Sequence, residues 1–379
     1  MDVGEFLQWM EAAPAGKRAD AAAALARSYL LEDTGEDSRN AAEAALTVLL
    51  DDRAPEVRLA IAGALGASDR APRHIIIALA ADLTEIAEAV VGRSPLFADA
   101  ELVDMVAAMP TPLQVAIAGR PAVSNAVAAA VAEVGDEAAC AVLLANAGAT
   151  IARISLHRIA ERFGQHEEIR NALLVRPNLP PEVHQLLVHM VTEALGQLAL
   201  VKAWMPEESV KAVTRDACDR ATIAIAAETE TIDLAALVEH LRVTGQLTTA
   251  LLLRAVCAGN IAFFDTALAV LSGVPEKRVT SLVRSGRAWG LRAVYTKAKL
   301  PPLAFEAFSA ALDTWRRLAA DGEITDRYRF TVQMVEAVLA RYSGISDGEM
   351  NELATMVRRF AADQARDAAR SYVRAVAAA

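Results

Sequence analysis

The sequence lacks most of the motifs on which common enzyme classes depend. Its 379 residues contain no C-x-x-C pair, no phosphate-binding glycine loop and no G-x-G-x-x-G fingerprint. The three cysteines, Cys140, Cys218 and Cys257, are far apart and odd in number, which excludes a disulfide framework and a zinc pattern. We therefore expect each of them to be a small buried hydrophobic residue.

Long uncharged apolar runs are also missing. No run approaches the roughly 18 residues of a membrane-spanning helix, so we expect no membrane insertion. The N-terminal stretch MDVGEFLQWM has neither the basic nor the apolar region of a signal peptide. A reduced, bacterial-type cytoplasm is the compartment that fits these features and the few cysteines.

Aromatic residues make up only 5% of the chain, whereas 54% of it is hydrophobic, largely alanine, leucine and valine. Such a composition favours closely packed helices, because alanine has the highest helix propensity and lets backbones approach. The formal net charge is −10. An acidic surface repels phosphate backbones, so we expect nucleic-acid binding to be unfavourable for the chain as a whole.

Apolar residues recur with helical spacing almost throughout, as in VRLAIAGAL at 57–65 and VHQLLVHMV at 183–191. The breaks between these segments are regular. Gly119, Gly148 and Pro177 follow one another at intervals of 29 residues, and the glycines at 245, 259, 273 and 286 at intervals of 14, 14 and 13. We interpret each glycine as the left-handed residue that ends a helix, and each following proline as the start of the next helix.

Helix pairs this short cannot bury their apolar faces alone and must stack on neighbours. The sequence therefore predicts an all-α fold, an α-α superhelix (a HEAT-like solenoid) of helix pairs with a period of about 28 residues. The stretch VRPNLPPEV would end one helix at Val175–Arg176 and begin the next at Pro180–Pro181. We expect helical caps at 1–36 and 313–379, a repeat array at 37–200 and a second repeat region at 201–312.

Several segments resemble a known family. LLDDRAPEVRLAIAGAL at 49–65 is similar to a HEAT-like repeat. NAGATIARISLHRIAERF, VRPNLPPEVHQLLV and residues 245–275 resemble an uncharacterised family of HEAT-like helical proteins found mostly in alphaproteobacteria. The resemblance covers about 40–315 and implies a helical superhelix without an assigned activity, cofactor or catalytic residue.

Two groups of cations are candidate interaction residues. Arg93, Arg120 and Arg176 occupy corresponding joints and would form a ladder that grips an anion, or else cap the carbonyls of their own helix ends. The segment 276–299 carries seven cations against one acid, Glu276, and two aromatic residues are interleaved with them. Its candidate residues are Lys277, Arg278, Arg284, Arg287, Trp289, Arg292, Tyr295, Lys297 and Lys299.

Other chemistry-bearing residues fit no site. Ser346 in GISDG matches a nucleophile motif formally, but it follows a helical segment and is explained as a helix cap with Glu349 three residues later. His184 and His189 would point about 140° apart on a helix, so we expect no metal site. We also expect no cofactor.

The function that we predict is a non-enzymatic scaffold or regulatory adaptor that binds a protein partner along a helical solenoid. Homo-oligomerisation stays open. A first alternative is anionic-ligand or nucleic-acid binding through 276–299. A second alternative is an enzyme, since some HEAT-like proteins are glycosylases or lyases. Trp204, Trp289 and Asp265 are residue types that such an enzyme could use, although no spacing unites them.

Overall fold

The computed structural model describes residues 8–10, 12–31, 35–198, 206–320 and 327–342, together with 354–355, 357–362, 365–366, 369–370 and 373. In these residues every regular element is a helix, which confirms the all-α prediction. An isolated parallel bridge joins Val123 to Ala149. By its internal contacts the chain divides into two compact units, Met1–Leu179 and Pro180–Ala379.

The first unit contains eleven described helices, which form a two-layer stack. They are α1 (Ala15–Tyr29), α2 (Glu36–Leu49), α3 (Pro55–Leu65), α4 (Arg73–Ala80), α5 (Thr84–Val91), α6 (Asp99–Ala108), α7 (Thr111–Ala118), α8 (Asn125–Val134), α9 (Glu137–Ala145), α10 (Arg153–Phe163) and α11 (Glu167–Val175). The odd-numbered helices contact one another in sequence order from α1 to α11, and α6, α8 and α10 do the same in the other layer. Packing of each helix against the next but one is the contact pattern expected of stacked helix pairs.

The second unit is less regular. It contains α12 (Pro181–Gln197), α13 (Glu207–Glu228), α14 (Thr231–Val243), α15 (Thr249–Cys257), α16 (Ile261–Ser272), α17 (Glu276–Ser285), α18 (Ala288–Lys297), a 3-10 turn (Pro302–Ala304), α19 (Phe305–Ala320) and α20 (Arg327–Tyr342). Helix α15 contacts α13, α16, α19 and α20, and all seven residues from Leu251 to Cys257 are buried. A helix that is buried on all sides lies inside a bundle, so this unit forms around α15 and α16.

The predicted joint at 175–183 is confirmed in detail. Helix α11 ends at Val175, Arg176 follows as its C-cap, and α12 begins at Pro181 with Pro180 as its N-cap. The boundary between the two compact units falls in the joint itself, at 179/180, whereas the expected domain boundaries at 36, 200 and 312 stay predictions.

The glycine prediction is confirmed in one unit and wrong in the other. Glycines 245, 259, 273 and 286 all have φ between 65° and 82°, as a left-handed helix end requires. In the first unit, Gly119 and Gly135 have φ of −85° and −65°. In that unit glycine lets two backbone segments approach each other closely. A Cβ on Gly148 would lie 2.0 Å from the carbonyl oxygen of Pro121, in the joint one repeat earlier.

Lys299 continues the left-handed series of the second unit, with φ of 58°. A side chain in this conformation costs about 1 kcal/mol or more. Replacing Lys299 by glycine is therefore expected to raise the free energy of unfolding by about 0.5–1 kcal/mol in urea denaturation. Lys297→Gly, at the end of α18 and equal in charge change, should instead lower it. Equal shifts for both variants would contradict this prediction.

Candidate functional site

The basic segment forms an exposed surface on two consecutive helices. Helix α17 buries Val279 and Val283, and α18 buries Leu291 and Val294, while their charged positions face solvent. Gly286, in the left-handed conformation, ends α17 and allows α18 to begin two residues later. We call this the α17–α18 surface; its exposed members are Lys277, Arg278, Arg284, Arg287, Trp289, Arg292, Lys297 and Lys299.

Most of these cations have no partner of opposite charge within ion-pair distance. Arg292 is the exception: it donates to Glu306 at 3.0 Å and stacks over the Phe305 ring at 4.8 Å. The acid Glu276 is occupied by the hydroxyl of Thr266, at 2.9 Å. Within the described part of the chain, the side chains of the other six cations make no hydrogen bond or ion pair. The surface therefore keeps a strong positive charge.

The two aromatic residues of the segment have opposite positions. Trp289 is 74% exposed, in the first turn of α18. Tyr295 is only 2% exposed, its hydroxyl donates to the Pro301 carbonyl, and its ring packs against Phe305 and Phe308. The expectation that Tyr295 belongs to the interaction surface is wrong, because its place on α18 faces the core.

The arginines of the predicted ladder have different roles. Arg120 is buried and donates to the carbonyls of Val91 and Ser94, at the end of α5. Arg176 donates to the carbonyl of Leu144, near the end of α9, at 2.5 Å. Arg93 is exposed. Arg120 and Arg176 therefore do cap free carbonyls at a helix end. The capped helix is the one a repeat earlier, whereas we expected each arginine to cap its own helix.

Asn146 caps a helix end in the same way, although no sequence pattern singled it out. Its side-chain amide donates at 2.8 Å to the carbonyls of Ala118 and Arg120, at the end of α7. The ends of α5, α7 and α9 are thus capped in turn by a residue one or two positions after the next helix of the same layer. In the other layer Arg162, in the last turn of α10, caps the end of α8 with bonds to the carbonyls of Ala132 and Gly135. In the sequence, these capping residues share a position near the end of a helix, but they do not share a residue type.

A buried charge cluster lies in the second unit. Arg254, on α15, is 1% exposed. It donates to both the backbone carbonyl and the side chain of Asp216, and its guanidinium lies 3.8 Å from Asp219. Burial raises the pKa of Asp219 to about 6, against the opposing effect of Arg254. An arginine inside the apolar run LLLRAVC was the available sequence signal.

A cavity of about 660 Å³ lies beside this cluster, lined by α12, α13 and the turn at 245–248. In it, the Sγ of Cys218 lies 4.0 Å from Nδ1 of His189. A cysteine–histidine pair can form a nucleophile and its base, but only as the thiolate. Burial raises the pKa of the Cys218 thiol, so the thiol is kept protonated and is a poor nucleophile. All three cysteines are buried, as expected.

The remaining predictions concern metal binding, membrane insertion and three residues that the structure does not describe. Over the described residues no group of three His, Cys, Asp or Glu side chains could hold a metal ion, and no helix has the length and apolarity to cross a bilayer. Ser346, Glu349 and Trp204 lie outside the described residues.

Comparison with protein families gives one match. Residues 86–348, more than two thirds of the chain, match the model of a family described as uncharacterised proteins conserved in bacteria (DUF2336). The chain belongs to this family. No curated protein and no solved structure matches it significantly. The DUF2336 match begins within α5 and includes the buried charge cluster, the cavity and the whole α17–α18 surface, whereas α1 to α4 precede it.

Proposed function

We propose that this protein is a non-enzymatic adaptor that binds another protein through the α17–α18 surface. One observation supports the proposal above the others: among the described residues, the α17–α18 surface presents six cations without an ion-pair partner, together with an exposed tryptophan, on a chain whose net charge is −10. Tryptophan and arginine are the residues that most often contribute binding energy at protein interfaces. An indole that is 74% exposed contributes little to packing within the chain. We place the protein in the cytoplasm, where its three cysteines would stay reduced.

A non-enzymatic role is favoured because the best-placed nucleophile, Cys218 beside His189, is kept in its unreactive thiol form. The stacked helices of the first unit support the same proposal. Arg120 and Arg176, two of the three arginines of the predicted ladder, cap helix ends and do not face an external anion. The enzyme alternative therefore lacks an activated nucleophile at the pair on which it would most readily depend.

The proposal is tested by affinity capture from the native organism with a surface variant, Arg284→Glu, Arg287→Glu and Trp289→Ala. We expect the principal captured protein to be lost, because both the charge and the aromatic anchor are removed. The matched control reverses two exposed cations of the first unit, Arg53 and Arg93, and should retain the partner. Identical captured proteins from all three baits would refute the assignment to this surface.

The second candidate function is binding of a nucleic acid or another phosphate-bearing ligand at the same surface. The exposed Trp289 ring supports it, because a base could stack there beside Arg287. Titration of a labelled single-stranded oligonucleotide at increasing salt tests this. Phosphate recognition weakens steeply with salt, and a tight, salt-sensitive complex that Trp289→Ala abolishes would favour this candidate over the adaptor.

A further inference from the structure

A buried carboxyl group lies beneath the α17–α18 surface. Asp265, on α16, is 3% exposed. The Thr280 hydroxyl of α17 favours the ionised form of Asp265, and one of its oxygens, Oδ1, has no hydrogen-bond partner among the described residues. Burial raises the pKa of Asp265 to about 6, so the group changes charge close to neutral pH. Nothing in the adaptor function described above requires an acid at this position.

The charged groups that act on Asp265 come from α17. Arg284, a member of the α17–α18 surface, favours its ionised form, and Glu276 opposes it. Helices α14, α15 and α18 also pack on α16. They contribute apolar residues such as Leu237, Leu252 and Leu291, and the buried guanidinium of α15, Arg254, is bound to Asp216. Arg284 is therefore the cation of the α17–α18 surface whose charge acts on Asp265.

We propose that the α17–α18 surface binds an acidic segment of a partner protein, and that binding is coupled to the uptake of a proton by Asp265. The inference rests on the proposed adaptor function and adds the chemistry of the partner and its regulation. Charge complementarity selects the occupant: the surface is locally positive, and Trp289 offers an apolar contact that a purely ionic ligand would not use. A protein segment with both carboxylates and apolar side chains meets both conditions.

The direction of the coupling follows from the charges. Above about pH 6, Asp265 is ionised and offsets part of the positive charge of Arg284. Carboxylates of a bound partner near Arg284 disfavour a second negative charge beneath it, so they raise the pKa of Asp265 further. A group whose pKa rises on binding takes up a proton, and the affinity therefore increases as pH falls through the range around 6.

The test measures binding of a fluorescein-labelled peptide of Asp-Asp-Leu repeats to the full chain at about pH 5.5 and about pH 7.5, at constant ionic strength. We expect the affinity at the lower pH to be about threefold higher, the result of a rise of about half a unit in the pKa of Asp265 on binding. Asp265→Asn removes the titrating charge, so this variant should bind equally at both pH values, and at about pH 7.5 more tightly than the unmodified chain.

Asp219→Asn is the matched control, since burial also raises the pKa of Asp219 to about 6 but its charged neighbours are Arg254, Asp216 and Arg215. It should keep the threefold dependence. The same dependence in the Asp265→Asn variant would overturn the proton coupling and leave the adaptor function standing. Tighter binding of a single-stranded oligonucleotide than of the peptide would overturn the acidic protein partner. Peptide binding that survives Arg284→Glu with Trp289→Ala would contradict the surface itself.

Discussion

Replacing Arg254 by methionine is expected to lower the free energy of unfolding by about 3–5 kcal/mol. Methionine fills a similar volume, but the change leaves the carboxylates of Asp216 and Asp219 beside an apolar core without their cation. The loss should be seen as a lower midpoint in urea denaturation followed by circular dichroism. The control is an exposed ion pair. Arg242→Met removes the partner of Glu239 and should lower the free energy of unfolding by less than about 1 kcal/mol.

The loss in Arg254→Met should also depend on pH. The pKa of Asp219 is already raised to about 6, and without Arg254 it should rise further. The folded state then binds a proton that the unfolded state releases, so stability is greatest at low pH and is lost as pH rises through the folded pKa. The variant should therefore be less impaired at about pH 5 than at about pH 7.5. An equal loss at both pH values would show that Asp219 does not sense the guanidinium.

Replacing Gly148 by alanine is expected to be similarly severe, at about 3 kcal/mol or more. The added Cβ would lie 2.0 Å from the Pro121 oxygen and 3.0 Å from its carbonyl carbon, so backbone must move. Movement there would break the bridge between the joints, in which Val123 N–H donates to the Gly148 carbonyl at 3.2 Å. Thermal unfolding of the purified variant measures the effect.

Gly63→Ala is the matched control for Gly148→Ala. Gly63 lies inside α3, and nothing is within 4 Å of the position of its Cβ. The same substitution should therefore stabilise the chain by about 0.5–1 kcal/mol, because alanine loses less conformational entropy in a helix. A loss of stability at Gly63, or none at Gly148, would contradict the assignment of the first-unit glycines to close packing.

Local sequence signals were sufficient for helix limits. Pro177, Pro180 and Pro181 have a restricted φ and lack the N–H that a helix interior needs, so the end of α11 and the start of α12 could be predicted from them. The same holds for the left-handed glycines of the second unit, where the backbone conformation is a property of one residue. Burial of the three cysteines was predictable from their apolar neighbours.

Contacts between residues far apart in the chain could not be predicted from local sequence signals. The period of 29 residues correctly placed Arg120 and Arg176 at equivalent joints, but only the stack shows that their guanidinium groups reach the preceding repeat. Tyr295 stood among cations in the sequence, yet the rotation of α18 buries it. The carboxyl groups of Asp219 and Asp265 gave no sign of unusual acidity, because a pKa shift depends on burial by other helices.

The amino-acid sequence by itself determined that the chain is helical, where α11 ends and α12 begins, and which segment carries the excess of cations. These properties depend on the conformational preferences of single residues and on periodicity within one helix. The tertiary structure decided which cations of the described residues lack an ion-pair partner, which arginine is buried with its carboxylates and which acid lies beneath the α17–α18 surface. Those properties arise when helices far apart in the chain exclude water from the same charged group, and no local pattern encodes that event.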